Sequence, residues 1–168
     1  LDAGHPYAPF ILDVERPGRY LGTEYGVHTT SFADASVRMV LGFPDIYEVG
    51  MSHMGTRILY KHVNDHPDLL LDRCMMPWVD MEKKLRDHSV PLVSLENRRP
   101  LVDYDVVGFS LQYELTYTNV LAMLDLGGIP IRSEDRDDSH PLVIAGGPTA
   151  THPEALAPFI DAFFIGEA

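Results

Sequence analysis

Val37-Arg38-Met39-Val40-Leu41-Gly42-Phe43, closed by Pro44-Asp45, is the stretch whose reading decides the fold. It is a short, mostly apolar run ended by a residue that cannot continue a central strand. That is the pattern of a strand buried on both faces, as in a parallel sheet. Asp105-Val106-Val107-Gly108-Phe109-Ser110, Pro141-Leu142-Val143-Ile144-Ala145 and Ala162-Phe163-Phe164-Ile165 repeat it. Arg73 to Trp78 is a further candidate, and Pro91 to Leu95 reads as a short edge strand.

Helical patterns fall between these runs. Ser52 is placed to cap a helix reaching about Asn64, with Met54, Ile58, Leu59 and Val63 facing inward. Asp80 is placed to cap a helix that buries Met81 and Leu85 and leaves Glu82, Lys83, Lys84 and Arg86 in solvent. Leu115 to Leu126 is apolar nearly all round, so it is expected to be deeply packed, and Gly127-Gly128 ends it. Ser133 to His140 reads as a charged loop, and Thr151-x-x-Glu154 has the spacing of a capping box opening a short helix. Alternating strands and helices predict an α/β fold: a doubly wound, mostly parallel five-stranded sheet, flavodoxin-like or Rossmann-like, over residues 36–168. Residues 1–35, rich in Gly, Pro and Tyr and without periodicity, are expected to form an arm packed on that domain, with one short helix before Val14.

Composition narrows the function. With 168 residues and 45% hydrophobic, the chain makes about one domain with a real core. A net charge of −12 disfavours nucleic acid and anionic membranes as partners. No run approaches the roughly 20 apolar residues of a membrane span, and the first ten residues lack a secretory pattern. The single cysteine, Cys74, rules out an internal disulfide or a cysteine metal cage within these residues, which suits a cytoplasmic setting. The sequence opens on Leu1 rather than Met and closes on Gly166-Glu167-Ala168, so both ends are expected to be boundaries within a longer protein.

In open parallel sheets ligands lie outside the carboxyl ends of the strands. Three segments belong there: Pro44 to Gly55, Ser110 to Glu114, and Gly146 to Thr151. Gly146-Gly147, followed by Pro148, has two readings of equal weight. Either the missing side chains let an extended ligand approach the backbone, or the chain needs a tight turn with positive φ. Ser110 ends a strand with a hydroxyl for a ligand or a local backbone group, and Gln112 follows two residues later. The loop containing Asp45, Tyr47, Glu48, Met51, Ser52 and His53 gathers carboxylates, soft apolar groups and an imidazole. His53 has the chemistry of an axial metal ligand or proton carrier, while the commoner role of such a residue is a packed helix start. Asp45, Glu48 and Glu114 are candidates for a carboxylate pair. His62 and His66, four apart but followed by Pro67, read as solvated surface. No G-x-G-x-x-G, P-loop or G-x-S-x-G pattern occurs.

Arg19 to Glu24, Phe43 to Gly55, Pro77 to Glu82, Gly108 to Leu115 and Ile144 to Pro148 together resemble the front domain of a family of uncharacterised bacterial radical S-adenosylmethionine proteins. The region is described there as resembling a cobalamin-binding domain. The resemblance implies a C-terminal barrel after Ala168 as this chain's partner, with S-adenosylmethionine and a 4Fe-4S cluster bound there. It also implies that cobalamin, if held here, lies with its nucleotide tail near Ser110, Gly146 and Gly147 and its ring over the Asp45–Gly55 loop. The Asp-x-His-x-x-Gly signature of histidine-on cobalamin domains is absent, because Tyr47 stands where that histidine would be. Three functions therefore stand open: a cobalamin-binding-like module of a radical enzyme, a Rossmann-like docking or substrate-recognition domain that has lost the cofactor, and a free-standing flavodoxin-like enzyme using Asp45, Glu48 and His53.

Overall fold

A computed structural model describes residues 4–27 and 30–166; residues 1–3 and 28–29 of the arm and the last two residues lie outside the described set. The elements are β1 (Val37–Phe43), α1 (Tyr47–Ser52), α2 (Met54–Asn64), β2 (Leu69–Met75), α3 (Val79–His88), β3 (Val106–Ser110), α4 (Tyr117–Leu126), β4 (Leu142–Gly146) and β5 (Ala162–Phe164). The strands form one sheet in the order β2-β1-β3-β4-β5, with every pairing parallel. This is the α/β, flavodoxin-like order expected from the alternating apolar runs.

One face carries the core. Met81 and Leu85 of α3 and Val120, Met123 and Leu124 of α4 pack with Val107, Phe109, Val143 and Ala145 of the central strands. Tyr7, Phe10, Ile11, Val14 and Tyr20 from the N-terminal segment join the same cluster. That segment is held in part by polar contacts: the Tyr7 hydroxyl accepts from the Val93 amide at 2.8 Å, and that of Tyr20 accepts from the Trp78 amide at 3.1 Å. Among its described residues, regular structure is confined to single 3-10 turns at Ile11–Asp13 and Pro17–Tyr20.

Several local expectations are corrected. The second strand runs Leu69–Met75 rather than Arg73–Trp78. Asp72 and Arg73 hide it in the sequence, but both are buried and fully engaged. The Asp72 carboxylate accepts from Ser94, Asn97 and Tyr104, and Arg73 donates to Glu96 at 2.6 Å while lying over the Tyr60 ring. Pro91–Leu95 is not an edge strand; it makes one isolated bridge, Val93 with Pro100. Instead it helps close the open edge of β2. The Leu95 amide donates to the Arg73 carbonyl, Glu96 accepts from the Arg73 amide, and the Asn64 side chain pairs both backbone groups of Leu71. An edge strand covered this way cannot template further pairing.

The cap of α2 is His53, not Ser52, which ends α1. The inward face of α2 is Thr56, Tyr60 and Asn64; Met54 and Ile58 are exposed, and Leu59 is 36% exposed. Trp78, not Asp80, occupies the cap position of α3, although Met81 and Leu85 are buried as the periodicity predicts. Thr151-x-x-Glu154 forms no capping box: two 3-10 turns, each opening on a proline, occupy that stretch.

Candidate functional site

The strand registers bring the three predicted segments to one end of the sheet. Gly42 lies opposite Phe109, Phe109 opposite Ala145, and Ser110 opposite Gly146. A cleft of about 500 Å³ opens there and runs down the sheet face on which α2 sits. His53 and Gly55, Ser110 and Gln112, and Gly146 and Gly147 line its mouth, one pair from each segment.

Below the mouth the cleft is apolar. Met39 and Leu41 of β1, Ile144 of β4, and Leu59 and Val63 of α2 form its floor and one wall. The sequence hides these as site residues because single apolar side chains look the same whether they meet a core or a cleft. The available signal was alternation: Val107 and Phe109 are buried under α4, while Val106, Gly108 and Ser110 are only half buried on the other side. In β4, Leu142, Ile144 and Gly146 follow the same pattern.

The two glycines separate in role. Gly147 has φ +111°, and a Cβ there would lie 2.6 Å from the Leu111 carbonyl oxygen. The chain beyond β3 crosses directly over it: the Leu111 amide donates to Gly146 O at 2.7 Å, and the Thr149 amide to Leu111 O at 3.3 Å. Gly147 is therefore required by the turn. Gly146 is not, since a Cβ there would meet Phe164 Cβ at an ordinary 3.6 Å. Its missing side chain leaves the cleft mouth open, as does that of Gly108, where the nearest atom is Ile144 Cγ1 at 3.5 Å.

His53 caps α2. Its Nδ1 accepts from the Thr56 amide at 3.2 Å, and its ring packs on Phe43 at 5.3 Å. A ring so held faces the cleft from a fixed position. Gln112 Nε2 donates to Ser110 Oγ at 2.8 Å, so these two polar groups form a unit at the opposite side of the mouth.

The other predicted residues stand outside the cleft. Asp45 accepts from the Tyr113 hydroxyl and the Ile46 amide, while Asn119 donates to the Pro44 carbonyl, tying the loops after β1 and β3 together. The Tyr47 hydroxyl donates to Glu24 at 2.7 Å; burial, reinforced by that carboxylate, raises the phenol's pKa. Glu48 pairs with Arg16 and Arg19. Its partial burial raises the carboxyl, but its own backbone amide and the two guanidiniums outweigh that and hold it below the usual range. Met51 Sδ accepts from Arg73, and Ser52 donates back to the Val49 carbonyl. Pro148 opens the turn after Gly147. Asp45, Glu48 and Glu114 form no carboxylate pair around a common point: the first two are committed elsewhere, and Glu114, exposed, begins a 3-10 turn. Among the described residues no three His, Cys, Asp or Glu side chains are grouped to hold a metal ion. No helix among them is long and apolar enough to cross a membrane. A hollow of about 640 Å³ beside α2 contains Arg57, Lys61 and Arg73. Lys61 and Arg73 are already paired with Asp65 and Glu96, each at 2.6 Å.

The cleft therefore stands at the switch point of a parallel sheet and is built from the segments after β1, β3 and β4. Residues 55–168, from the cleft wall on α2 to beyond β5, match the family described as radical SAM proteins, N-terminal. The chain belongs to that family. This radical SAM N-terminal domain is also 24% identical, over 126 residues, to the uncharacterized protein MJ0966 of Methanocaldococcus jannaschii. That similarity covers 74% of the domain but only 22% of the relative.

Proposed function

We propose that this domain is the cofactor-holding, non-catalytic front module of a radical S-adenosylmethionine enzyme, and that its cleft takes the nucleotide tail of a cobalamin-class corrinoid. The 4Fe-4S cluster and S-adenosylmethionine belong to a C-terminal barrel in the longer protein. Such a cluster needs several thiolates, and these residues supply one cysteine, buried. A bound corrinoid would contribute radical or group-carrying chemistry of its own. The domain's share is to bind and orient.

The carrying observation is the bare floor at Gly108 and Gly146 beneath an apolar wall, with the Ser110–Gln112 pair at the rim. A cleft of about 500 Å³ lies within the roughly 300–1,000 Å³ of small-molecule sites, and a mostly apolar slot with a few polar groups at one end is their usual form. Tyr47, where a histidine-on domain has its cobalt ligand, is turned away to Glu24, and His53 Nδ1 is spent on the helix cap. The reading is therefore a corrinoid held without a histidine drawn from the Asp-x-His-x-x-Gly position.

One observation favours a second reading, a docking or substrate-recognition domain without cobalamin: Ser110 and Gln112 already satisfy each other. Hydroxocobalamin added to the full-length protein separates the two. A corrinoid spectrum, read as the difference from the same protein without added cobalamin, that stays with the protein through gel filtration and is lost in Gly108→Leu supports the corrinoid. A full-length protein that retains no corrinoid difference spectrum overturns it in favour of docking.

A further inference from the structure

Helix α2 stands between two hollows that share no lining residue. Gly55, Leu59 and Val63 face the strand-end cleft, while Met54, Arg57, Ile58 and Lys61 face the hollow of about 640 Å³. The second hollow has a closed floor. Tyr60 and Arg73 are buried there, with the guanidinium 4.2 Å from the centre of the Tyr60 ring. Its rim is open and apolar: Met54 and Ile58 are exposed, and Tyr25 of the N-terminal segment stands fully in solvent at 107% exposure.

The charge balance of the chain is reversed in this place. The whole sequence has 13 Lys and Arg against 25 Asp and Glu, whereas the hollow gathers Arg57, Lys61 and Arg73 around one carboxylate, Asp65. These cations are unequally committed. Arg73 gives Nε to Glu96 and Nη1 to Met51, but its Nη2 meets Glu24 only at 3.8 Å, beyond hydrogen-bond reach. Lys61 pairs with Asp65 one turn on, and both side chains are more than half exposed, so water and salt compete for that contact. Arg57 forms no ion pair with a described residue.

We propose that this hollow binds a phosphate monoester with a flat, apolar body. Arg57, Lys61 and Arg73 hold the phosphate, and Tyr25, Met54 and Ile58 receive the body. One guanidinium fork is enough for a planar carboxylate, whereas two guanidiniums and an ammonium supply N–H donors around a tetrahedral anion. Arg57 and Lys61, four apart on α2, are neighbours on one helix face, so their charges act on the same group. The free Tyr25 ring offers a stacking face, and the Met54 thioether adapts to what lies against it. A volume of about 640 Å³ falls within the roughly 300–1,000 Å³ of small-molecule sites. No residue of the strand-end cleft takes part, so the inference is independent of what enters that cleft.

Isothermal titration of the full-length protein with phenyl phosphate tests this, with benzoate and inorganic phosphate as probes of each half. The variants are Arg57→Gln, Tyr25→Ala and a control, Lys83→Gln, which removes an ammonium paired in the same i,i+4 manner on α3. All three positions are exposed, and circular dichroism checks that each variant folds. The expected result is saturable binding of phenyl phosphate, weakened about tenfold or more by Arg57→Gln and about threefold or more by Tyr25→Ala, and unchanged in Lys83→Gln. Inorganic phosphate should bind more weakly and be indifferent to Tyr25→Ala. Benzoate binding as tightly as phenyl phosphate overturns the proposal in favour of a carboxylate site. Inorganic phosphate binding as tightly, or no effect of Tyr25→Ala on phenyl phosphate, overturns it in favour of a bare anion site. No saturable binding, or binding that Arg57→Gln leaves unchanged, overturns it outright.

Discussion

Gly147→Ala is expected to be the most damaging single-methyl change at the cleft, and Gly146→Ala, one residue away, to be nearly silent. At Gly147 two costs combine. Its backbone, φ +111° and ψ 178°, lies in a region that only glycine adopts freely, which costs a side-chain-bearing residue about 1–3 kcal/mol. The added Cβ also falls 2.6 Å from Leu111 O and 3.0 Å from Leu111 N. Those are backbone atoms fixed by the bonds to Gly146 and Thr149, so relief requires moving β4 against the segment after β3. Forced overpacking of that kind costs about another 1–3 kcal/mol. The sum, about 2–6 kcal/mol, is a large share of the 5–15 kcal/mol typical of a domain. At roughly 2–4 °C per kcal/mol for this size it corresponds to a fall in Tm on the order of 5–20 °C. At Gly146 the nearest atom is 3.6 Å away and φ is ordinary, so alanine should change stability by less than about 1 kcal/mol. Thermal and urea unfolding followed by far-ultraviolet circular dichroism read both variants. A Gly147→Ala protein within 1 kcal/mol of the parent, or a Gly146→Ala protein as unstable as Gly147→Ala, would refute this division of the glycine pair.

Three further outcomes are expected. Asp72→Ala removes the shared acceptor of Ser94, Asn97 and Tyr104, leaving Tyr104 only its bond to Ser94 and the Ser94 hydroxyl and Asn97 amide groups without their carboxylate, and should cost about 3–5 kcal/mol in urea unfolding; a loss under 1 kcal/mol would show that the network holds nothing. Burial raises the Glu96 carboxyl to about 7 despite Arg73, with Asp72 adding to the rise. A carboxyl raised above its unfolded value contributes stability that is complete below pH ~4.5 and is lost as pH climbs through ~7. Glu96→Gln should therefore gain stability relative to the parent across that interval, by about 1–3 kcal/mol, and parallel stability–pH curves for the two proteins would contradict the assignment. The Cys74 thiol, raised first by burial and then by the Glu96 charge, should resist a disulfide reagent at pH 8 in the native protein and react at once in guanidinium; rapid reaction under native conditions would mean β2 opens readily.

How far the site was legible depends on the kind of signal. His53, Ser110, Gln112, Gly146 and Gly147 could be placed at the mouth because they follow apolar runs, and parallel strands end together. Asp45, Tyr47, Glu48, Met51, Ser52 and Pro148 sit within the same segments, yet the chain turns their side chains toward the arm, Arg73 or the local backbone. A twelve-residue segment is long enough to hold a helical turn, α1, and a helical turn points its side chains in every direction. The apolar cleft lining carries no composition mark of its own.

Local physics in the amino-acid sequence determined the existence and direction of β1, β3, β4 and β5, the burial of Met81 and Leu85, and the deep packing of α4, because each follows from a run or a period within a few residues of chain. Only the tertiary structure decided that β2 runs through Asp72 and Arg73, that α2 turns Met54 and Ile58 outward, and that among the described residues one sheet face stays open. Those outcomes depend on partners far along the chain: Glu96, Tyr104 and Asn97 for the buried charges, and the presence or absence of a second helix over β4 for the open face. A residue's neighbours in sequence set its conformation, but which side of an element is dry is set by what the rest of the chain brings to it.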